Sequence, residues 1–242
     1  MFNKKSRILL ISCALVLLPA IASAQTSDFK KQMEAYLDSD DGVEKMMNAF
    51  ERYASKKQAA QQREDAGASK ETYAKFFSIG KSPVKGNKGA KVTIVMMSDF
   101  RCGYCARGSE TMKEVLKAYP KEVKLVFKNL PIMAKPAAIA ALAAHQQDKF
   151  WEMADLLYAN QQSLTEEKFI ELAEGLKLNM KKFKADLESP KIAKQVEDDA
   201  EMANKLGVQG TPGFFVNGIP VRGAQPLEVF KSLIDEELAK KK

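Results

Sequence analysis

Cysteine is scarce in this 242-residue chain, with three in all, and histidine and tryptophan occur once each. A multi-bridge framework of the kind that staples small secreted domains is therefore excluded. A structural zinc site needs four ligands, and beyond residues 1–24 the chain offers two thiols and His145, so only assembly across subunits would complete one. His145 lies near the end of an Ala-rich helical stretch, Ala137 to Gln146, with no Ser–Asp or Cys partner nearby in sequence, and reads as a surface or packing residue. Charge of one sign is also in short supply. The formal net charge is +7, and residues 1–24 hold three basic and no acidic residues, which leaves +4 for the remainder. Lys56-Lys57 and Lys240-Lys241-Lys242 read as solvated ends, and no basic aromatic face points to nucleic acid. Beyond the N-terminus no apolar run is long enough to cross a bilayer. The acidic cluster Glu197-Asp198-Asp199-Glu201 lacks the alternating ligands and glycine of a calcium loop and reads as the solvated face of a helix.

Residues 1–24 carry the marks of a cleaved signal peptide: basic Lys4, Lys5 and Arg7, an apolar core from Ile8 to Ile21, and Ala22-Ser23-Ala24 as a small-residue cleavage site. Leu10-Ile11-Ser12-Cys13 resembles a lipobox, but the apolar run before Cys13 is short and the fuller core follows it. Export to the periplasm is the expectation, and it leaves Cys102 and Cys105, in Phe100-Arg101-Cys102-Gly103-Tyr104-Cys105, as the mature pair.

Four readings of one Cys-x-x-Cys compete. A structural disulfide across so small a loop gains only about 2 kcal/mol in the chain-entropy formula, against about 3 for a 15-residue loop. Zinc lacks ligands, and haem attachment needs His where Ala106 stands. A thiol-disulfide active site fits the context, because the pair follows the apolar run Val92 to Met97 and precedes a helix-like stretch, residues 106–118, that Pro120 stops. A sulfur at the start of a helix lies over unpaired backbone N–H groups and the positive end of the helix dipole. That environment favours a thiolate at Cys102, the more exposed member and expected attacker, with Cys105 resolving the mixed disulfide from inside the first turn.

Far along the chain, Gly207-Val208-Gln209-Gly210-Thr211-Pro212-Gly213-Phe214-Phe215-Val216-Asn217-Gly218 reads as a turn entering a strand, with Asn217-Gly218 a hairpin signal into Ile219-Pro220-Val221. Together the two segments resemble the DsbA/DsbC branch of the thioredoxin superfamily. The resemblance covers roughly residues 86–240 and implies an α/β thioredoxin-like fold with a helical insertion. Its strands would be Lys91 to Ser98 and Glu122 to Phe127, its insertion Pro136 to Leu206, and its last helix Pro226 to Lys240. Lys128-Asn129-Leu130-Pro131, Lys149-Phe150-Trp151 with Leu156-Leu157-Tyr158, and Gly223-Ala224-Gln225-Pro226 resemble the same branch in order. Trp151 belongs to an apolar stripe with Met153, Leu156 and Leu157 and reads as packing.

By that resemblance Thr211-Pro212 is a cis peptide whose backbone pairs with a substrate strand. Many relatives carry a buried Glu six residues before the first Cys. Met96 stands here, leaving the proton acceptor for Cys105 unassigned, with bound water or Lys128 as candidates. Gly103-Tyr104 and Thr211 match the isomerase DsbC, so the active site leans away from a pure oxidase.

Residues 25–85 form a separate segment with no cysteine and no proline before Pro83. Phe29, Met33, Tyr36 and Leu37 recur at helical spacing, as do Val43, Met46, Met47, Phe50 and Tyr53, with a break near residues 38–42. Lys56 to Lys70 is polar, a solvated helix or linker. Some 60 residues are marginal as an independent core, so the apolar faces must be covered, by self-association through residues 25–65, by folding back, or by varied apolar partners. ScsC and other DsbA-like proteins with N-terminal arms resemble this layout.

The expected organisation is a signal peptide (1–24), a helical arm and linker (25–85) and a DsbA-like thioredoxin domain (86–242). The expected activity is a thiol-disulfide oxidoreductase, an isomerase or mixed oxidase-isomerase acting on exported proteins without cofactor or metal and recharged by a membrane partner. The competing classes are a specialised reductase and a non-enzymatic chaperone or adaptor built on the Met-rich arm.

Overall fold

A computed structural model of the protein describes residues 40–64 and 66–240. The expected leader and the first arm helix, with Phe29, Met33, Tyr36 and Leu37, lie outside the described residues. The chain divides into two compact units at Ala54/Ser55. Of the first unit the described part is the start of α1 (Asp40–Glu64). Its stripe Val43, Met46, Met47, Phe50 and Tyr53 is solvent-exposed, from 41% at Val43 to 66% at Tyr53.

The second unit is built on a five-stranded sheet. After α2 (Ala66–Phe76) come β1 (Val84–Gly86), β2 (Val92–Ser98), α3 (Gly103–Ala118) and β3 (Val123–Asn129). A helical insertion follows: α4 (Lys135–His145), α5 (Phe150–Ala159), α6 (Glu166–Gly175), α7 (Met180–Leu187) and α8 (Pro190–Lys205). The chain returns through β4 (Gly213–Val216), β5 (Ile219–Arg222) and α9 (Leu227–Ala239). The strand order is β1-β3-β2-β4-β5, with β2 and β3 parallel and the other pairs antiparallel. This is the expected thioredoxin-like α/β fold with its helical insertion.

The central strands read as continuous apolar runs because both faces of the sheet are covered. Val92, Ile94 and Met96 of β2, with Leu125 and Phe127 of β3 and Phe214 of β4, join the larger core with α3, α9 and the insertion. Val95, Met97, Val126 and Phe215 face the other way, onto Ala203 of α8 and Tyr73 and Phe77. Tyr73 stacks on Phe77 at 4.5 Å and tilts over Phe215 at 5.4 Å. The sheet thus takes in β1, which ends at the residue 86 expected as the start of this unit, and, on its second face, Tyr73, Phe77 and Ile79, which precede it. Their three-residue strand and short apolar stretch carry too little periodicity to stand out in the sequence.

One expectation is corrected outright. Glu197, Asp198 and Glu201 are solvated, but Asp199 is buried at 2% exposure. Its spacing with Ile192, Val196 and Ala203 puts it in the apolar stripe of α8. There it accepts from Lys128 Nζ at 3.0 Å and from the Asn129 amide at 3.0 Å. Burial raises its pKa, and Lys128 opposes that shift. Trp151 packs edge-on against Phe150 and Phe127, as expected. His145 is half-buried at the end of α4, edge-on to Phe150; burial lowers its pKa while a bond to the Lys81 backbone opposes the shift.

Candidate active site

The strand–turn–helix at the C-terminal end of β2 fixes both cysteines. Asp99 is buried, and its carboxylate accepts from the backbone N–H of Arg101 (2.7 Å), Met133 and Ala134 (3.3 Å). It therefore ties the segment entering α3 to the loop leaving β3. The Leu130 amide donates to the Ser98 carbonyl at 2.9 Å and draws the same two segments together. From α5's C-terminal side, the Gln161 side-chain amide donates to the carbonyls of Phe100 (2.7 Å) and Cys102 (2.9 Å). None of these clamps was read from the sequence; the one local sign was a short polar side chain, Asp99, at the end of an apolar run.

Cys102 is the N-cap of α3, with extended φ −84° and ψ 116°, and its carbonyl accepts from the amides of Cys105 (3.0 Å) and Ala106 (3.2 Å). The helix starts at Gly103, three residues earlier than the stretch singled out in the sequence, so Cys105 is its third residue. Both sulfurs are thiols, Cys102 8% exposed and Cys105 fully buried. Burial is the main cause that pushes the Cys105 thiol up to about 12. The Asp99 backbone and the Ser98 and Thr211 side chains lower it through hydrogen bonds, and Cys102 adds to the rise.

The Thr211–Pro212 bond is cis, as the resemblance implies, and the Cys102 thiol donates to the Thr211 carbonyl at 3.5 Å. Gly108 makes this approach possible, because a Cβ there would meet Phe214 Cζ at 3.0 Å and Pro212 Cγ at 3.4 Å. A groove of about 320 Å³ runs along the Pro212 loop, between Leu206–Gly210 and Pro220–Gly223. Tyr104 (64% exposed), Ile132 (60%) and Met133 (52%) present apolar surface. Arg107 lies 5.0 Å over the Tyr104 ring and reaches the Ala224 carbonyl. Cys102, Gly103, Tyr104, Cys105, Thr211 and Pro212, 109 residues apart in sequence at Cys102 and Thr211, thus meet at the end of the sheet where β2 leaves and β4 enters.

Lys128 does not serve as the proton acceptor for Cys105. It is buried on the opposite face of the sheet, paired with Asp199 and donating to the Ile79 carbonyl at 3.4 Å. Ser98, on the same side of β2 as Met96, has its Oγ 2.6 Å from the hydroxyl of Tyr158 and is one of the groups that lower the Cys105 pKa. Among the described residues no group of three or more His, Cys, Asp or Glu side chains is placed to hold a metal ion.

Residues 78–236 match the family model described as Thioredoxin. Na(+)/H(+) antiporter NhaA 3 of Salinispora tropica is 36% identical over 156 residues, 62% of this chain and 24% of that protein. The chain thus spans about a quarter of the length of that relative. Probable disulfide bond formation protein D of Bacillus anthracis is 33% identical over 181 residues, covering 68% of this chain and 82% of its own. Among solved structures, oxidised BdbD from Bacillus subtilis superposes with a TM-score of 0.59 at 27% identity, covering 67% of this chain and 95% of that one.

Proposed function

Because the chain belongs to the DsbA-type thiol-disulfide oxidoreductases of the thioredoxin family, we propose that it is a periplasmic disulfide isomerase, or mixed oxidase-isomerase, for exported proteins. The observation that carries the chemistry is the placement of Cys102 Sγ at the N-terminus of α3, against the Thr211 carbonyl, with Cys105 buried one turn behind it. The Cys102 thiolate attacks a substrate disulfide; a Cys102–substrate bond forms, and the released substrate sulfur takes up a proton. Deprotonated again, that sulfur attacks a second disulfide of the substrate, and the substrate thiolate freed in turn attacks the mixed disulfide and releases the Cys102 thiolate, which is isomerisation; or Cys105 attacks Cys102 and frees the reduced substrate. Run in reverse, the Cys102–Cys105 disulfide oxidises substrate thiols and needs a membrane partner to recharge it. The groove along the Pro212 loop offers backbone to an extended substrate segment.

The isomerase reading also draws on α1. Its exposed stripe of Val43, Met46, Met47, Phe50 and Tyr53 supports self-association through residues 25–65, which would set two or more catalytic units around one misfolded client. The test incubates residues 25–242 with scrambled, fully oxidised ribonuclease in a glutathione buffer, beside Cys102→Ser and a form lacking residues 25–65. Recovery of ribonuclease activity should require Cys102, and the truncated form should be monomeric and deficient in isomerisation. A monomeric 25–242 protein with full isomerase activity overturns the role of the arm. Rapid oxidation of reduced ribonuclease without isomerisation makes the protein an oxidase.

A further inference from the structure

We propose that Gln161 is a positioning residue for the attacking sulfur: its side-chain amide, bonded to the Cys102 carbonyl, aims and strengthens the peptide dipole that meets negative charge on Cys102 Sγ. The inference rests on the reading of Cys102 as attacker.

Cys102 occupies the N-cap of α3, a position where a serine hydroxyl would accept from the first amides of the helix. Cys is the sulfur analogue of Ser, yet the Cys102 thiol makes no cap bond and donates instead to the Thr211 carbonyl at 3.5 Å. A thiolate has no proton to give that carbonyl and can only accept. Its own helix supplies donors, beginning with the Gly103 N–H at the positive end of the dipole. That N–H shares a peptide unit with the Cys102 carbonyl, and in a trans unit the two point in opposite directions. Whatever holds the carbonyl therefore aims the N–H, and whatever polarises the carbonyl strengthens the N–H as a donor.

Gln161 does both from 59 residues away, in the turn after α5. Its Nε2 donates to the Cys102 carbonyl at 2.9 Å and to the Phe100 carbonyl at 2.7 Å. Both acceptors are carbonyls, so the NH₂ end of the side chain must face them. Its two protons lead into two chains of the same design. In one, Gln161 donates to the Phe100 carbonyl, and the Arg101 N–H of that peptide unit donates to the buried Asp99 carboxylate at 2.7 Å. In the other, Gln161 donates to the Cys102 carbonyl, and the Gly103 N–H of that unit opens on the N-terminal side of α3, the end that Cys102 caps. The first chain ends on a carboxylate; the second ends where the anion of the reaction forms. The turn that carries Gln161 is itself pinned by Asn160, whose Nδ2 donates to the Leu156 carbonyl at 2.8 Å and whose carbonyl accepts from the Ser163 amide at 2.9 Å.

The test is the redox equilibrium of residues 25–242 with glutathione at pH 7, read by mass after acid quench and alkylation of free thiols. The Cys102–Cys105 disulfide and two glutathione thiols give the reduced protein and glutathione disulfide, and one proton passes to solvent as Cys102 is left as thiolate. Gln161→Met keeps the length of the side chain and removes both donors. The thiolate exists only in the reduced form, so the variant should shift the equilibrium about three- to tenfold toward the protein disulfide, the scale of one hydrogen bond strengthened by another. A clamp with a merely structural role supports both redox forms alike, and its loss would lower both urea midpoints without moving the equilibrium. Gln161→Ala should shift it in the same direction and decides the matter should Gln161→Met fail to fold. An equilibrium constant within twofold of wild type, or moved toward the dithiol, overturns the proposal. A wild-type protein whose Cys102 forms no mixed disulfide with glutathione would instead refute the assignment of the attacking sulfur.

Discussion

Replacing Lys128 by Met should destabilise the catalytic unit by about 3 kcal/mol at pH 7. Lys128 and Asp199 are both buried, with side chains 4% and 3% exposed, and their charges meet at 3.0 Å. Removing one partner of such a pair typically costs about 3–5 kcal/mol, because the other charge is left without water or counter-ion. Asp199 keeps the Asn129 amide at 3.0 Å and its side-chain Nδ2 at 3.3 Å, which places the loss at the lower end. Met preserves most of the aliphatic stem. In a domain of roughly 150–250 residues this corresponds to a fall in Tm of about 6–12 °C. The loss must also depend on pH, and the sign follows from Asp199. Its folded pKa is raised above the ordinary 3.8, so the folded state holds the proton more tightly and stability falls as pH rises through that window. Without Lys128 the window extends further upward, so the penalty relative to wild type should shrink as pH is lowered from 7 to 4.5. Lys128→Met combined with Asp199→Asn, which keeps an acceptor for the Asn129 amide, should recover much of the loss. Urea unfolding at both pH values measures this. A loss below about 1 kcal/mol at pH 7, or the same loss at pH 4.5, would refute the reasoning.

Three further outcomes follow from the packing. Gly108→Val should damage catalysis more than its cost in stability, about 1–3 kcal/mol for an overpacked contact, because the new side chain presses on Pro212 and Phe214; unchanged attack by Cys102 in stopped flow would contradict this. Tyr73→Ala should cost about 2–3 kcal/mol, below the range for a fully buried aromatic, because the ring lies between Phe77 and Phe215 yet is only partly buried. It also underlies Gly218, where φ is +86° and a Cβ would come 3.0 Å from Tyr73 Cδ1. A urea midpoint equal to wild type would show that α2 does not brace the sheet. In stopped-flow reaction with 5,5′-dithiobis(2-nitrobenzoate), whose coloured thiolate is released first on attack by Cys102 and again on resolution by Cys105, the second phase should rise about tenfold per pH unit from pH 7 to 10, because the Cys105 thiol is held up to about 12. A plateau near pH 9 would mean that the buried thiol ionises like a free one.

The parts of the site legible in the sequence are those encoded locally. Cys102 and Cys105 sit where an apolar run gives way to helical spacing, and Thr211-Pro212 stands before a strand closed by Asn217-Gly218. What could not be read is encoded by contact across long separations. Asp199 looks like one carboxylate among four until α8 is docked and Lys128, 71 residues away, is found under it. The Ser98–Tyr158 pair spans 60 residues, and a serine ending a strand and a tyrosine in an apolar helix each have an ordinary explanation alone. Met96 stands where many relatives carry a carboxylate, and the buried polar side chain of this face of β2, Ser98, lies two residues further along. Residues 70–79 have no strong periodicity, and their docking depends on aromatic partners that only the folded sheet supplies.

Both flanks of the sheet end on strands unsuited to propagation. β1 is three residues long, and β5 has four, of which Pro220 has no N–H to offer a further strand. A molecule proposed to meet half-folded chains risks being recruited into their aggregates through open sheet edges. Here lateral growth is blocked at each border, so a client with exposed strands cannot be templated onto the body of the sheet. Encounters with such clients should end in a traded sulfur bond and release, and not in co-polymerisation.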